Sequence, residues 1–114
     1  MALFGTASGN DVDVFAKELA AELSKKYPPT LDKGSARKLS PKRLTTILED
    51  TYVKAIAFKE QHKLGVYKKA RLGNTFRWEL QELGYSAKFV EMATEGLVVY
   101  ITRGKADVQA GGAT

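Results

Sequence analysis

Apolar residues recur at helical spacing through most of this chain, and the breaks between those runs mark out its elements. Val12, Phe15, Ala16, Leu19, Ala20, Leu23 and Tyr27 fall on one face when the first run is wound as a helix, the pattern of a segment that buries one side. A first helix is therefore expected over 11–27. Asn10 is its expected N-cap, Asp11 and Asp13 lie where the helix dipole favours anions, and Lys25 and Lys26 lie where it favours cations. Pro28-Pro29 then stops the helix and opens a linker, residues 28–40, that also holds Gly34 and Ser35.

A second helix is expected over 41–64. Ser40-Pro41 pairs an N-cap serine with a proline at the first helical position, and Gly65 supplies the expected stop. Leu44, Ile47, Leu48, Tyr52, Ala55 and Phe58 form its main apolar face, while Val53, Ile56 and Ala57 lie off it. A helix that is apolar on more than one side is central or sits at an interface between copies. A third helix is expected over 66–83, closed by Gly84, with Leu72, Phe76, Leu80 and Leu83 inward. Its weak point is Gly73-Asn74, because glycine inside a helix costs about 1 kcal/mol relative to alanine. A break there would make Asn74 the N-cap of a shorter helix over 75–83.

Residues 86–102 support two readings. Ser86 can cap a helix with Val90, Ala93, Leu97 and Ile101 inward and Lys88, Glu91, Glu95 and Thr102 outward. Against this, Leu97 to Thr102 is β-prone and Thr94-Glu95-Gly96 can turn a hairpin, which would give a winged-helix-like α+β arrangement. Poor alternation over 86–93 favours the helix. The expected fold is mainly α: a single compact four-helix domain over 10–103 whose last segment is a helix or a short β-hairpin. Small-residue stretches at 1–9 and 104–114 read as a flexible N-terminus and a flexible tail.

Composition narrows the chemistry. Of 114 residues, 44% are hydrophobic, enough for a core, and the absence of cysteine excludes disulfides and thiolate chemistry. The longest strongly apolar run is Leu97 to Ile101, far short of the roughly 20 residues of a membrane span. The first residues lack the basic and apolar regions of a secretory signal, so a cytoplasmic location is expected. His62, the only histidine, ends an apolar helix face as a packing residue would, and no carboxylate partners at metal-ligating spacing accompany it. Neither a nucleophile elbow nor a glycine-rich phosphate loop is present. No metal, cofactor or small-molecule substrate is expected, and the chain does not read as an enzyme.

Charge changes the picture most. The overall net charge of +5 conceals a centre, residues 33–77, with twelve basic residues against Glu49, Asp50 and Glu60. Such asymmetry suits an anionic partner. The cations form two clusters, Lys33, Arg37, Lys38, Lys42 and Arg43 before and at the start of the second helix, and Lys59, Lys63, Lys68, Lys69 and Arg71 around its end. A straight helix of that length separates them by about 36 Å, so the first cluster reads as solvated surface.

At the second cluster, charge meets aromatic side chains. Tyr67, Arg71, Asn74, Trp78 and Gln81 line up opposite the core face of the third helix. Tyr, Trp and Arg dominate binding hot spots and stack on bases, while Asn and Gln can read base edges. The candidate site is therefore Lys59, Lys63, Tyr67, Lys68, Lys69, Arg71, Asn74, Arg77 and Trp78, with the cations neutralising phosphates. The function expected is a small non-catalytic module that binds nucleic acid or another polyanion. The alternative is a protein-interaction or homo-oligomeric module, with an acidic protein or a second copy as partner. Exposure of Trp78 separates a binding face from a second layer of core.

Overall fold

The computed structural model describes residues 8–32 and 40–104. Among these residues five helices follow one another: α1 (Gly9–Lys26), a single turn α2 (Pro29–Asp32), α3 (Pro41–His62), α4 (Val66–Leu83) and α5 (Ala87–Arg103). The mainly α expectation holds. Among the described residues there is no strand, and no helix is long and apolar enough to cross a membrane.

The helix ends follow from capping chemistry, with two corrections. The N-cap of α1 is Ser8, not Asn10. Its hydroxyl accepts from the Asp11 N–H at 3.1 Å, and the Asp11 carboxylate accepts from the Ser8 N–H at 3.0 Å. This reciprocal pair satisfies two helix-end donors at once. Ser8 and Gly9 thus belong to the folded domain, while the rest of the expected flexible N-terminus, 1–7, lies outside the described residues. So do 33–39 of the linker and all of the tail after Gly104.

Helix α3 starts as expected, with the Ser40 hydroxyl accepting from the Arg43 N–H at 3.1 Å. It ends earlier than Gly65. Lys63 takes a left-handed conformation (φ 50°, ψ 54°), and Gly65 is instead the extended N-cap of α4. The reason is Leu64, which is buried and can reach the core only if the chain leaves the helix first.

The two internal glycines have a packing role. Helix α4 runs unbroken through Gly73-Asn74. Gly73 is buried, and a Cβ there would lie 2.8 Å from a methyl of Val98, so the glycine lets α5 approach α4. Gly96 does not turn a hairpin. It sits inside α5, where a Cβ would lie 2.5 Å from the Tyr52 hydroxyl oxygen. The space it leaves lets that hydroxyl donate to the Ala93 carbonyl at 2.8 Å. The hairpin and winged-helix alternatives are therefore overturned. Burial of Leu97, Tyr100 and Ile101 at helical spacing outweighs their β-propensity.

Helices α1 and α4 run side by side in the same direction: Asp13 meets Arg71 near their starts, and the Tyr85 hydroxyl donates to the Tyr27 carbonyl just past their ends. Helix α3 is antiparallel to α1, with Phe15 stacked on Phe58 at 4.0 Å and Glu22 paired with Lys54. Helix α5 returns against α4, and Tyr52 meets Tyr100 where α3 packs on α5. Asp32 at the end of α2 accepts from the Ser86 N–H at 2.6 Å, fastening that turn to the start of α5.

All four long helices supply the core, which includes Val12, Leu23, Leu72, Phe76, Leu80, Val90, Leu97 and Ile101. Leu83 departs from expectation at 39% exposed; Tyr85, clustered with Tyr27 and Phe89, fills that end of the core instead. With Leu72, Phe76 and Leu80 turned inward, α4 leaves its opposite side to solvent.

Candidate functional site

That outer side of α4 carries the aromatic stripe. Tyr67 is 71% exposed and Trp78 is 58% exposed, so neither is a second layer of core. Eleven residues of helix separate them, about 16 Å along the axis. Two shallow recesses adjoin between them. One, of about 460 Å³, is lined by Asp13, Tyr67, Ala70, Arg71, Asn74 and Thr75. The other, of about 360 Å³, is lined by Asn74, Thr75, Arg77, Trp78 and Gln81. Asn74 and Thr75 border both.

Electrostatically this face is milder than the sequence suggests. Arg71 Nε donates to Asp13 Oδ1 at 2.9 Å and Nη2 to Oδ2 at 2.7 Å, and the Thr75 hydroxyl donates to Asp13 Oδ1 at 2.9 Å. Those bonds, from Arg71 above all, hold the Asp13 carboxyl below its usual range and push the guanidinium pKa up. Arg71 is thus a fixed, charge-compensated member of the face. Arg77 pairs with Glu91 of α5, both largely exposed; such a surface pair contributes little and exchanges readily.

The nine expected residues divide accordingly. Tyr67, Arg71, Asn74, Arg77 and Trp78 come together on the stripe. Lys63 is exposed at the left-handed turn after α3, and Lys59 is half-buried in the last turn of α3. Lys68 and Lys69 are half-buried in the first turn of α4, and Lys69 lines a separate apolar recess with Val66, Ala70, Val98 and Thr102. His62 is half-buried, its ring tilted against Phe58 at 4.4 Å, and its buried Nδ1 finds no hydrogen-bond partner among the described residues. Among the described residues no group of side chains is arranged to hold a metal ion.

Two features do not show in residue spacing. Asp13, placed by its position as a partner of the helix dipole, joins α1 to the stripe. The second is a recess of about 740 Å³ where Lys25 and Lys26, ending α1, meet Lys42 and Arg43, starting α3. Only the antiparallel packing of α1 on α3 makes these four neighbours. Comparison with protein-family models, with curated proteins and with solved structures gives no significant match.

Proposed function

We propose that this chain is a non-catalytic binding module and that the outer face of α4 takes a single-stranded nucleic acid. The observation that carries this reading is the exposure of Tyr67 and Trp78 on one polar helix face. An exposed indole and phenol are costly to leave in water and well suited to stacking on bases, worth about 1–3 kcal/mol per base. Their separation of about 16 Å suits a short run of nucleotides. The amides of Asn74 and Gln81 lie beside Trp78 in one recess and can bond to base edges. Lys63 and Lys68 at the α3–α4 corner, with Arg77 on exchange from Glu91, supply phosphate contacts. Arg71, held by Asp13, gives the strand a fixed guanidinium plane.

A second reading has its own support. Asp13 and Glu91 already compensate Arg71 and Arg77, so the stripe is close to neutral, and exposed Trp, Tyr and Arg together are the composition of a protein-binding hot spot. Fluorescence anisotropy of a labelled single-stranded oligonucleotide at two salt concentrations separates the two. Salt-dependent binding that Trp78→Ala and Tyr67→Ala weaken supports nucleic acid. No binding at low salt leaves the protein partner as the reading to pursue.

A further inference from the structure

Helix α3 begins with cations where a helix prefers anions. Lys42 and Arg43 occupy its first turn, which holds no acidic residue, and the helix dipole is positive there. Lys25 and Lys26 have a local explanation, since they end α1, where the dipole is negative. Lys42 and Arg43 have none. The antiparallel packing of α1 on α3 then brings all four to the rim of one recess, where Glu22 of α1 acts on Lys25 and Lys26 and leaves Lys42 and Arg43 as the excess charge. All four are exposed, and none forms an ion pair among the described residues. One carboxylate, Asp50, shares the lining with them. The rest of the wall is Ser40, Thr46, whose hydroxyl donates to the Lys42 carbonyl, and buried Ile47, a small apolar floor. At about 740 Å³, the recess falls within the roughly 300–1,000 Å³ of small-molecule sites.

We propose that this recess binds a compact polyphosphate, two or more adjacent phosphate groups on one small molecule. Two cations placed against the α3 dipole, at a recess where α1 adds two more, are relieved by an anion seated among them. The Arg43 guanidinium can grip two phosphate oxygens at once, the lysines act as mobile point charges, and the start of α3 adds its dipole to theirs. The geometry is convergent, with cations from two helices around one hollow. That matches charge concentrated on one molecule better than charge strung along a strand. No lining residue is shared with the α4 face, so the site does not depend on the nucleic-acid reading.

The test is thermal unfolding followed by circular dichroism at constant ionic strength. The added ligands are tripolyphosphate, ATP, or an oligothymidylate without terminal phosphates, each compared with KCl. Tripolyphosphate should raise the melting midpoint by several degrees in a saturable way. An equal shift with ATP supports a site that reads phosphate alone; a larger one supports a nucleoside resting on Ile47. Lys42→Gln/Arg43→Gln should weaken the apparent Kd for tripolyphosphate about a hundredfold. Without ligand, its midpoint should be unchanged or higher, because the opposition to the α3 dipole is relieved. Lys25→Gln/Lys26→Gln, on the other helix, should weaken binding as well. The proposal is overturned by a shift no larger than that of KCl, or by a shift that survives in the Lys42/Arg43 variant. An equal shift with oligothymidylate at matched phosphate would also overturn it.

Discussion

Arg71 on α4 reaches across to Asp13 on α1 with two parallel hydrogen bonds of 2.9 and 2.7 Å. This pair clamps the two helices together beneath the exposed stripe and takes one cation out of the site's free charge. Hydrogen bonding from Arg71 holds the Asp13 carboxyl below its ordinary 3.8. The folded state therefore binds this proton less readily than the unfolded chain does. Its contribution to stability is complete above the ordinary value and is lost as pH falls through the lower, folded one. Urea midpoints measured against pH should decline on the acid side, and Asp13→Asn should flatten that decline. Asp11, lowered by its bonds with Ser8, accounts for part of what remains. An acid profile identical in the variant would contradict the role given to the pair.

Gly96 offers a test in which local propensity and packing point in opposite directions. In a free helix, Gly→Ala is stabilising by about 1 kcal/mol. Here the new methyl meets the hydroxyl of buried Tyr52, which donates to the Ala93 carbonyl. Gly96→Ala should be destabilised by about 1–3 kcal/mol, the range for overpacking. Chemical denaturation measures it, and a stabilised variant would show that α5 does not lie against Tyr52.

The buried tyrosines set the alkaline limit. Desolvation raises the hydroxyl pKa of both Tyr52 and Tyr85 above the ordinary 10.0. The unfolded chain ionises first, so the stability these groups confer is intact below that value and is lost as pH rises past it. Tyr85→Phe removes the hydrogen bond to the Tyr27 carbonyl. It should cost about 1 kcal/mol at neutral pH and give a shallower loss above pH 10. Denaturation midpoints across that range, with tyrosinate absorbance as a second probe, check both parts.

Much of this fold was legible in the sequence, because each long helix carries a main apolar face and a start or stop signal. Ser40, Gly84 and Ser86 act as expected. What escaped were features that depend on a neighbour. Gly73 reads as a helix breaker until Val98 is seen against it, and Gly96 reads as a turn until Tyr52 is. Lys63 ends α3 before Gly65 because Leu64 must reach the core. The stripe was legible because one helix presents it. The pairing of Arg71 with Asp13, and the meeting of Lys25 and Lys26 with Lys42 and Arg43, need the packing of α1 and could not be read from spacing.

A face that binds should tolerate substitution without unfolding. Tyr67 and Trp78 pack little against the core, so Tyr67→Ala and Trp78→Ala should each change stability by no more than about 0.5 kcal/mol. Their effect should fall on ligand binding. A large loss of stability in either variant, read from urea denaturation, would make these residues part of the core layer after all.

Trp78 is the only tryptophan in the chain, so its fluorescence reports on the proposed face alone. Titration with a single-stranded oligonucleotide at low and moderate salt is the most direct test that α4 stacks bases. The expected result is saturable quenching, weaker at the higher salt and much reduced in Tyr67→Ala. Unchanged emission through the titration, at a concentration where anisotropy shows the strand bound or at one where it stays free, would contradict it.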